Sequence, residues 1–113
     1  MLFRSPASWY SAATNRITPT LGAAGVYTVT AAVTMGANSG AVAYIAILKN
    51  GATIVAKSTS NLNTAGANSS LCATGLVSMN GTTDYLTAVV YQSSGANVTA
   101  TTRQLSAYLL RKV

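Results

Sequence analysis

The chain has 113 residues, a net charge of +6 and only 7% charged side chains, with one acid, Asp84, and no histidine. Paired carboxylates, a histidine base and a closed His/Cys/acid metal shell are beyond it, and most catalytic chemistry goes with them. The length sets one domain, which buries roughly 65% of the surface its unfolded chain exposes.

Charged residues make up roughly 25% of ordinary soluble domains. Here Ala, Thr, Ser, Gly and Asn take their place. Such a neutral, β-prone surface suits a protein whose faces are covered by its own copies or by a larger assembly. The cations are Arg4, Arg16, Lys49, Lys57, Arg103, Arg111 and Lys112, and only the last two are adjacent. They form no helical stripe and no basic run, so nucleic acid is not the expected partner; an acidic protein surface fits better.

The single cysteine, Cys72, has no partner within the chain, which excludes a disulfide scaffold; it is expected as a small buried thiol. The start, Met1-Leu2-Phe3-Arg4-Ser5-Pro6, has no apolar core of signal-peptide length. The longest apolar run, Ala41 to Leu48, is too short to span a bilayer. The expectation is a chain made in a cytoplasm, neither exported by a leader nor embedded in a membrane.

Residues 1–22 read as an arm. Pro6 and Pro19 keep those points out of central-strand pairing, while Trp9 and Tyr10 need cover, so part of the arm is expected as an edge strand. Residues 23–113 read as the folded domain. Val26 to Thr34 alternates with period two and is rich in β-branched residues, which predicts a strand. Met35 to Gly40 is a turn. Ala41 to Leu48 is apolar on both faces, so it predicts a strand covered on both sides. Asn50-Gly51 is a tight-hairpin signal, because both residues tolerate positive φ. Thr53 to Thr59 is the returning strand, and Ser60 to Ser69 a polar loop.

Ser70 to Met79 is the next strand, with its turn at Asn80-Gly81-Thr82-Thr83. Asp84 to Tyr91 alternates again. Gln92 to Asn97 is a loop, Val98 to Thr102 a short strand and Gln104 to Leu110 the last one. Seven or eight short strands without a helix predict an all-β, antiparallel sandwich or jelly roll. There is no internal repeat, coiled-coil heptad or collagen triplet.

Four segments in order resemble one family. Gly25-Val26-Tyr27-Thr28-Val29 resembles the opening of a core strand in the complement C1q-like globular domain. Leu48-Lys49-Asn50-Gly51 is similar to that family's Leu-x-Asn-Gly hairpin. Leu76 to Gly81 followed by Asp84-Tyr85-Leu86 resembles its apolar-strand, Gly-Asp, apolar-strand passage. Gln104-Leu105-Ser106-Ala107-Tyr108-Leu109-Leu110 is similar to its closing Phe-Ser-Gly-Phe-Leu-Leu strand.

The resemblance, over residues 20–110, implies a jelly roll of the tumour necrosis factor type that assembles as a threefold trimer. It implies Val26, Thr28, Thr30, Tyr85, Thr87, Val89, Leu105, Ala107 and Leu109 facing the trimer axis. Tyr27, Val29, Val33, Leu86, Val90 and Tyr108 then fill the core. Ala107 and Tyr108 stand where the family has Gly and Phe, two threonines separate Gly81 from Asp84, and the family's calcium-binding acids have no counterpart. Receptor or immune-ligand function is therefore not carried over.

Stalkless trimers of this type fit virus particles. The expected function is a bacteriophage structural protein of the virion: a homotrimeric capsid decoration or head-fibre module that binds the major capsid protein or another virion protein. The alternative is the receptor- or glycan-binding tip of a tail fibre. Catalysis, a cofactor, a metal and a membrane partner are not expected. Aromatic anchors and cations mark Phe3, Arg4, Trp9, Tyr10, Arg16, Arg111 and Lys112 as the expected particle contact.

Overall fold

The structure, a computed structural model, describes residues 10–11, 15–20, 24–36, 41–62, 68–95, 98 and 100–112. The strands are β1 (Tyr10–Ser11), β2 (Arg16–Ile17), β3 (Gly25–Met35), β4 (Val42–Lys49), β5 (Thr53–Asn61), β6 (Ser69–Met79), β7 (Leu86–Gln92) and β8 (Ala100–Lys112). Among the described residues there is no helix. The chain is thus all-β, and every strand pairing is antiparallel. The larger sheet has the order β1-β2-β7-β4-β5 and the smaller sheet the order β6-β3-β8.

Period-two alternation builds the interior. On β3 every second residue is buried, from Gly25 through Tyr27, Val29, Ala31 and Val33 to Met35. Ala43, Ile45 and Ile47 of β4 face them from the larger sheet, each at most 1% exposed. Leu71, Ala73 and Met79 of β6, Leu86 of β7 and Ile17 of β2 complete the core. Fully burying one such Ile or Leu contributes about 1.5–3 kcal/mol. Among the described residues no buried side-chain nitrogen or oxygen lacks a hydrogen-bond partner.

Turn chemistry sets the ends. Asn50 and Gly51 have φ of 56° and 74°, and the Ala52 amide donates to the Lys49 carbonyl at 3.2 Å. This is the hairpin that Asn-Gly predicts. Gly25 is required for a different reason: a Cβ there would collide with the carbonyl oxygen of Arg111 on β8. β8 carries one residue too many at that point, since Val26 pairs with Arg111 and Tyr27 with Leu109. A second irregularity lies where Ala32 pairs with Gln104 and Thr34 with Thr101.

The second irregularity accounts for one difference from the sequence reading. The expected strands 98–102 and 104–110 are one strand, because a bulge absorbs the mismatch and pairing continues past it. Tyr108 does not fill the core: it pairs with Thr28 on the outer face, while Leu105, Ala107 and Leu109 turn inward with Ala31, Val29 and Tyr27. Val90 is 41% exposed rather than buried, although it pairs with the core residue Ile45. Cys72 is exposed, because it pairs with Ala32 on the outer face of β6. The strand expected to be covered on both sides is so covered at its middle, where Ala46 is 1% exposed, but not throughout: Val42 is 38% exposed, and Tyr44 and Leu48 are half-buried.

Candidate functional site: two outer sheet faces

Among the described residues no three His, Cys, Asp or Glu side chains come together. Among them no helix is long and apolar enough to cross a membrane. What the chain offers a partner is its two outer sheet faces and one polar clasp between turns.

The outer face of the smaller sheet follows from strand register, since directly opposed residues share a face. β3 contributes Val26, Thr28, Thr30, Ala32 and Thr34. β6 sets Ser78, Leu76, Thr74, Cys72 and Ser70 beside them, and β8 sets Arg111, Tyr108, Ser106, Gln104 and Thr101 on the other side. Apart from Leu76, Tyr108, Gln104 and Arg111, the face is a field of small neutral side chains. Arg111 is the charge that register places on it, at one end. Leu76 is 62% exposed and Leu110, in the bulge, 52%.

The outer face of the larger sheet is different. Tyr44 of β4 lies opposite Tyr91 of β7, Ala46 opposite Val89 and Leu48 opposite Thr87. β5 adds Thr59, Lys57 and Ile54 at the same three levels. The Tyr44 and Tyr91 rings stack at 5.1 Å and 21°. The Lys57 ammonium sits 4.2 Å from the centre of the Tyr44 ring, so that ring meets both an aromatic and a cation. Further along, the Arg16 guanidinium lies 3.8 Å from the centre of the Tyr85 ring. Ile54, Tyr91, Val42 and Val89 are 58%, 51%, 38% and 38% exposed.

At one end, two turns lock together. Asp84 accepts hydrogen bonds from the Asn50 side-chain amide at 3.0 Å and from the Asn80 backbone N–H at 2.9 Å. Lys49 Nζ lies 3.5 Å from the carboxylate and donates to the Ser78 carbonyl at 2.8 Å. Asn80 Oδ1 accepts from the N–H groups of Thr82, Thr83 and Asp84, and Asn50 Oδ1 from the N–H of Tyr85. The Asn50 amide above all, with the Asn80 N–H and the Lys49 charge, outweighs partial burial and holds the Asp84 carboxyl below its ordinary value. The clasp joins the β4–β5 hairpin to the β6–β7 turn.

The nine residues expected to face a trimer axis do not share one surface. Val26, Thr28 and Thr30 lie on the outer face of the smaller sheet. Leu105, Ala107 and Leu109 lie on its inner side, against the core. Tyr85, Thr87 and Val89 belong to the outer side of the larger sheet. Of the expected particle contacts, Phe3, Arg4 and Trp9 lie outside the described residues. Tyr10 pairs through its backbone with Ile17 at the edge of the larger sheet. Arg16 belongs to that sheet, whereas Arg111 and Lys112 end β8 in the smaller one.

Sequence reasoning missed the Lys57–Tyr44–Tyr91 stack and the Asp84 clasp. The period-two pattern already put Tyr44 with Ala46 and Leu48, and Tyr91 with Val89. What it lacked was the pairing of β4 with β7, which runs between distant segments. Compared with known proteins, the chain matches no family model, no curated protein and no solved structure.

Proposed function

We propose that this chain is a jelly-roll structural subunit of a virion, a bacteriophage capsid decoration or head-fibre module that works as a homotrimer. The strand order supports the jelly roll. β4 pairs with β5, β3 with β6 and β2 with β7, so the chain is a set of nested antiparallel pairs folded across two sheets. Such nesting is what a long hairpin leaves when it rolls up.

The observation that carries the functional reading is the outer face of the smaller sheet. A subunit of charge +6 that associates with itself must avoid bringing cations together. The Thr28–Thr30–Ala32 face, with exposed Leu76 beside it, is a neutral surface on which copies can meet at that condition. Leu105, Ala107 and Leu109 are engaged with the core and are not part of this face.

Light scattering of the purified protein is expected to give three times the chain mass, and Thr30→Arg to give the monomer mass, because it would bury an unpaired charge. A monomer mass for the unaltered protein overturns the trimer. An antibody raised against the protein is expected to label heads of particles from a culture that produces it. Particles free of the protein overturn the virion reading.

A further inference from the structure

We infer that the outer face of the larger sheet is a docking surface for an acidic protein, one whose Asp and Glu side chains flank apolar ones. The inference goes beyond the self-association reading and holds for a subunit of any mass. It begins with charge. Lys57 and Arg16 sit on this face, each placed over a tyrosine ring. The chain has one carboxylate side chain, Asp84, and Lys49 and Asn50 already engage it in the clasp. The face therefore presents positive charge with no acid to answer it. Cations so placed are matched by carboxylates from outside.

Apolar exposure comes next. Val42, Ile54, Val89 and Tyr91 are all more than a third exposed on this one face. A cluster of this sort, with tyrosines at its centre and cations at its flanks, has the make-up of an interface core rather than of an idle surface. Tyr and Arg are the side chains that dominate binding energy when an interface closes over them.

The geometry selects a protein over other anionic partners. A single-stranded nucleic acid needs open ring faces on which bases stack. The Tyr44 ring is already engaged, by the Tyr91 ring and by the Lys57 ammonium. A nucleic-acid backbone or an anionic membrane also needs a run of cations, on the order of four to eight, and this face has Lys57 and Arg16. The face is built from strand residues at consecutive levels of β7, β4 and β5, the layout of a broad contact surface. A broad partner with carboxylates and apolar groups is what remains.

The test uses a random copolymer of glutamate and tyrosine as the acidic polypeptide, with affinity read by fluorescence anisotropy at low salt. Lys57→Glu is expected to weaken binding at least about tenfold, and Tyr91→Ser several-fold. Arg111→Glu makes the same change in net charge on the other sheet and is expected to stay within about twofold. Thermal melts confirm that each variant folds, and Lys57→Ala repeats the result if Lys57→Glu does not. Equal losses for Lys57→Glu and Arg111→Glu would reduce the effect to net charge and overturn the inference. It is also overturned if the unaltered protein ignores the copolymer, or binds a thymidine oligonucleotide or anionic vesicles more tightly.

Discussion

At the centre of the smaller sheet, β3 turns Thr28, Thr30, Ala32 and Thr34 to the outer face; at the centre of the larger sheet, β4 turns Tyr44, Leu48 and a covered Ala46 to it. Both strands bury the alternate residues in the same core. The inner sets are both apolar, with Tyr27, Val29, Ala31, Val33 and Met35 on β3 and Ala43, Ile45 and Ile47 on β4, whereas the outer sets differ in chemistry. Threonine keeps the β-preference of a branched side chain while offering little apolar area. Away from Arg111 at its end, the threonine face can stand open to water without setting like charges against a copy of itself. The tyrosine face gains from contacts within the chain, through the Tyr44–Tyr91 stack and the cations on the rings, and still leaves Ile54 and Val89 exposed. One core thus supports two surfaces of different chemistry, and each can be altered without the other.

That independence has its limit in the shared interior, where the largest effect is expected. Ile45 is 1% exposed and faces β3 across the sandwich. Ile45→Ala should cost about 2–5 kcal/mol in denaturant unfolding, because the cavity lies between two sheets that cannot close around it freely. Leu76→Ala, at 62% exposure on the threonine face, should cost well under about 1 kcal/mol in the unassociated protein. Equal losses at the two positions would break the division into inner and outer sets on which both faces rest.

Much of that division was legible in the sequence, and its failures have physical causes. The alternation of Val26 to Thr34 separated the two faces of β3, and the resemblance put Tyr27, Val29 and Val33 in the core, where the structure has them together with Ala31. The hairpin at Asn50-Gly51 was local and is observed with both φ values positive. Parity on β8 was not local. Leu105, Ala107 and Leu109 are more apolar than Gln104, Ser106 and Tyr108, and alternation alone would have turned them inward. Family matching pointed the other way, and the structure follows the alternation. Cys72 was misplaced since its face depends on pairing with Ala32 rather than on its own chemistry. The tyrosine–lysine stack needs three strands, β7, β4 and β5, to be ordered side by side, which no single stretch of sequence states.

The bulge that sets β8 parity can be tested at Gly25. A Cβ there meets the Arg111 carbonyl oxygen and the Leu109 side chain, so Gly25→Ala must push β8 away or undo the bulge. The expected cost is about 1–3 kcal/mol, read as a lower melting temperature. Amide exchange should rise on β8 beside Val26 and Tyr27, and hardly at all on β4 and β7. A uniform loss of protection across both sheets would show that the two faces are not separable at this end. An unchanged melting temperature would show that β8 approaches β3 less closely there.

The smallest effect is expected at the clasp, and acid isolates it. Asp84 is the one side-chain carboxylate of a chain without Glu or His, so apart from a chain terminus it alone titrates between about pH 3 and 7. Hydrogen bonds from Asn50 and Asn80 and the charge of Lys49 hold its carboxyl below the ordinary value in the folded chain. The unfolded chain therefore takes up the proton first as pH falls. The clasp's contribution is complete above the unfolded value, about pH 4, and is lost as pH drops through the folded one. The melting temperature should be level from neutral pH to about pH 5 and decline below about pH 4. Asp84→Asn should cost about 1 kcal/mol at neutral pH, lose most of the acid decline, and match the unaltered chain at about pH 2. The clasp joins the β4–β5 hairpin of the larger sheet to the turn that leads out of β6 in the smaller one. Its loss should loosen the two sheets at that end and leave the Tyr44–Tyr91 stack intact, which near-ultraviolet circular dichroism reports. A tyrosine signal that collapses along with the acid decline would mean that the clasp supports the tyrosine face itself, and that the two regions are coupled through Asn50 and Tyr85.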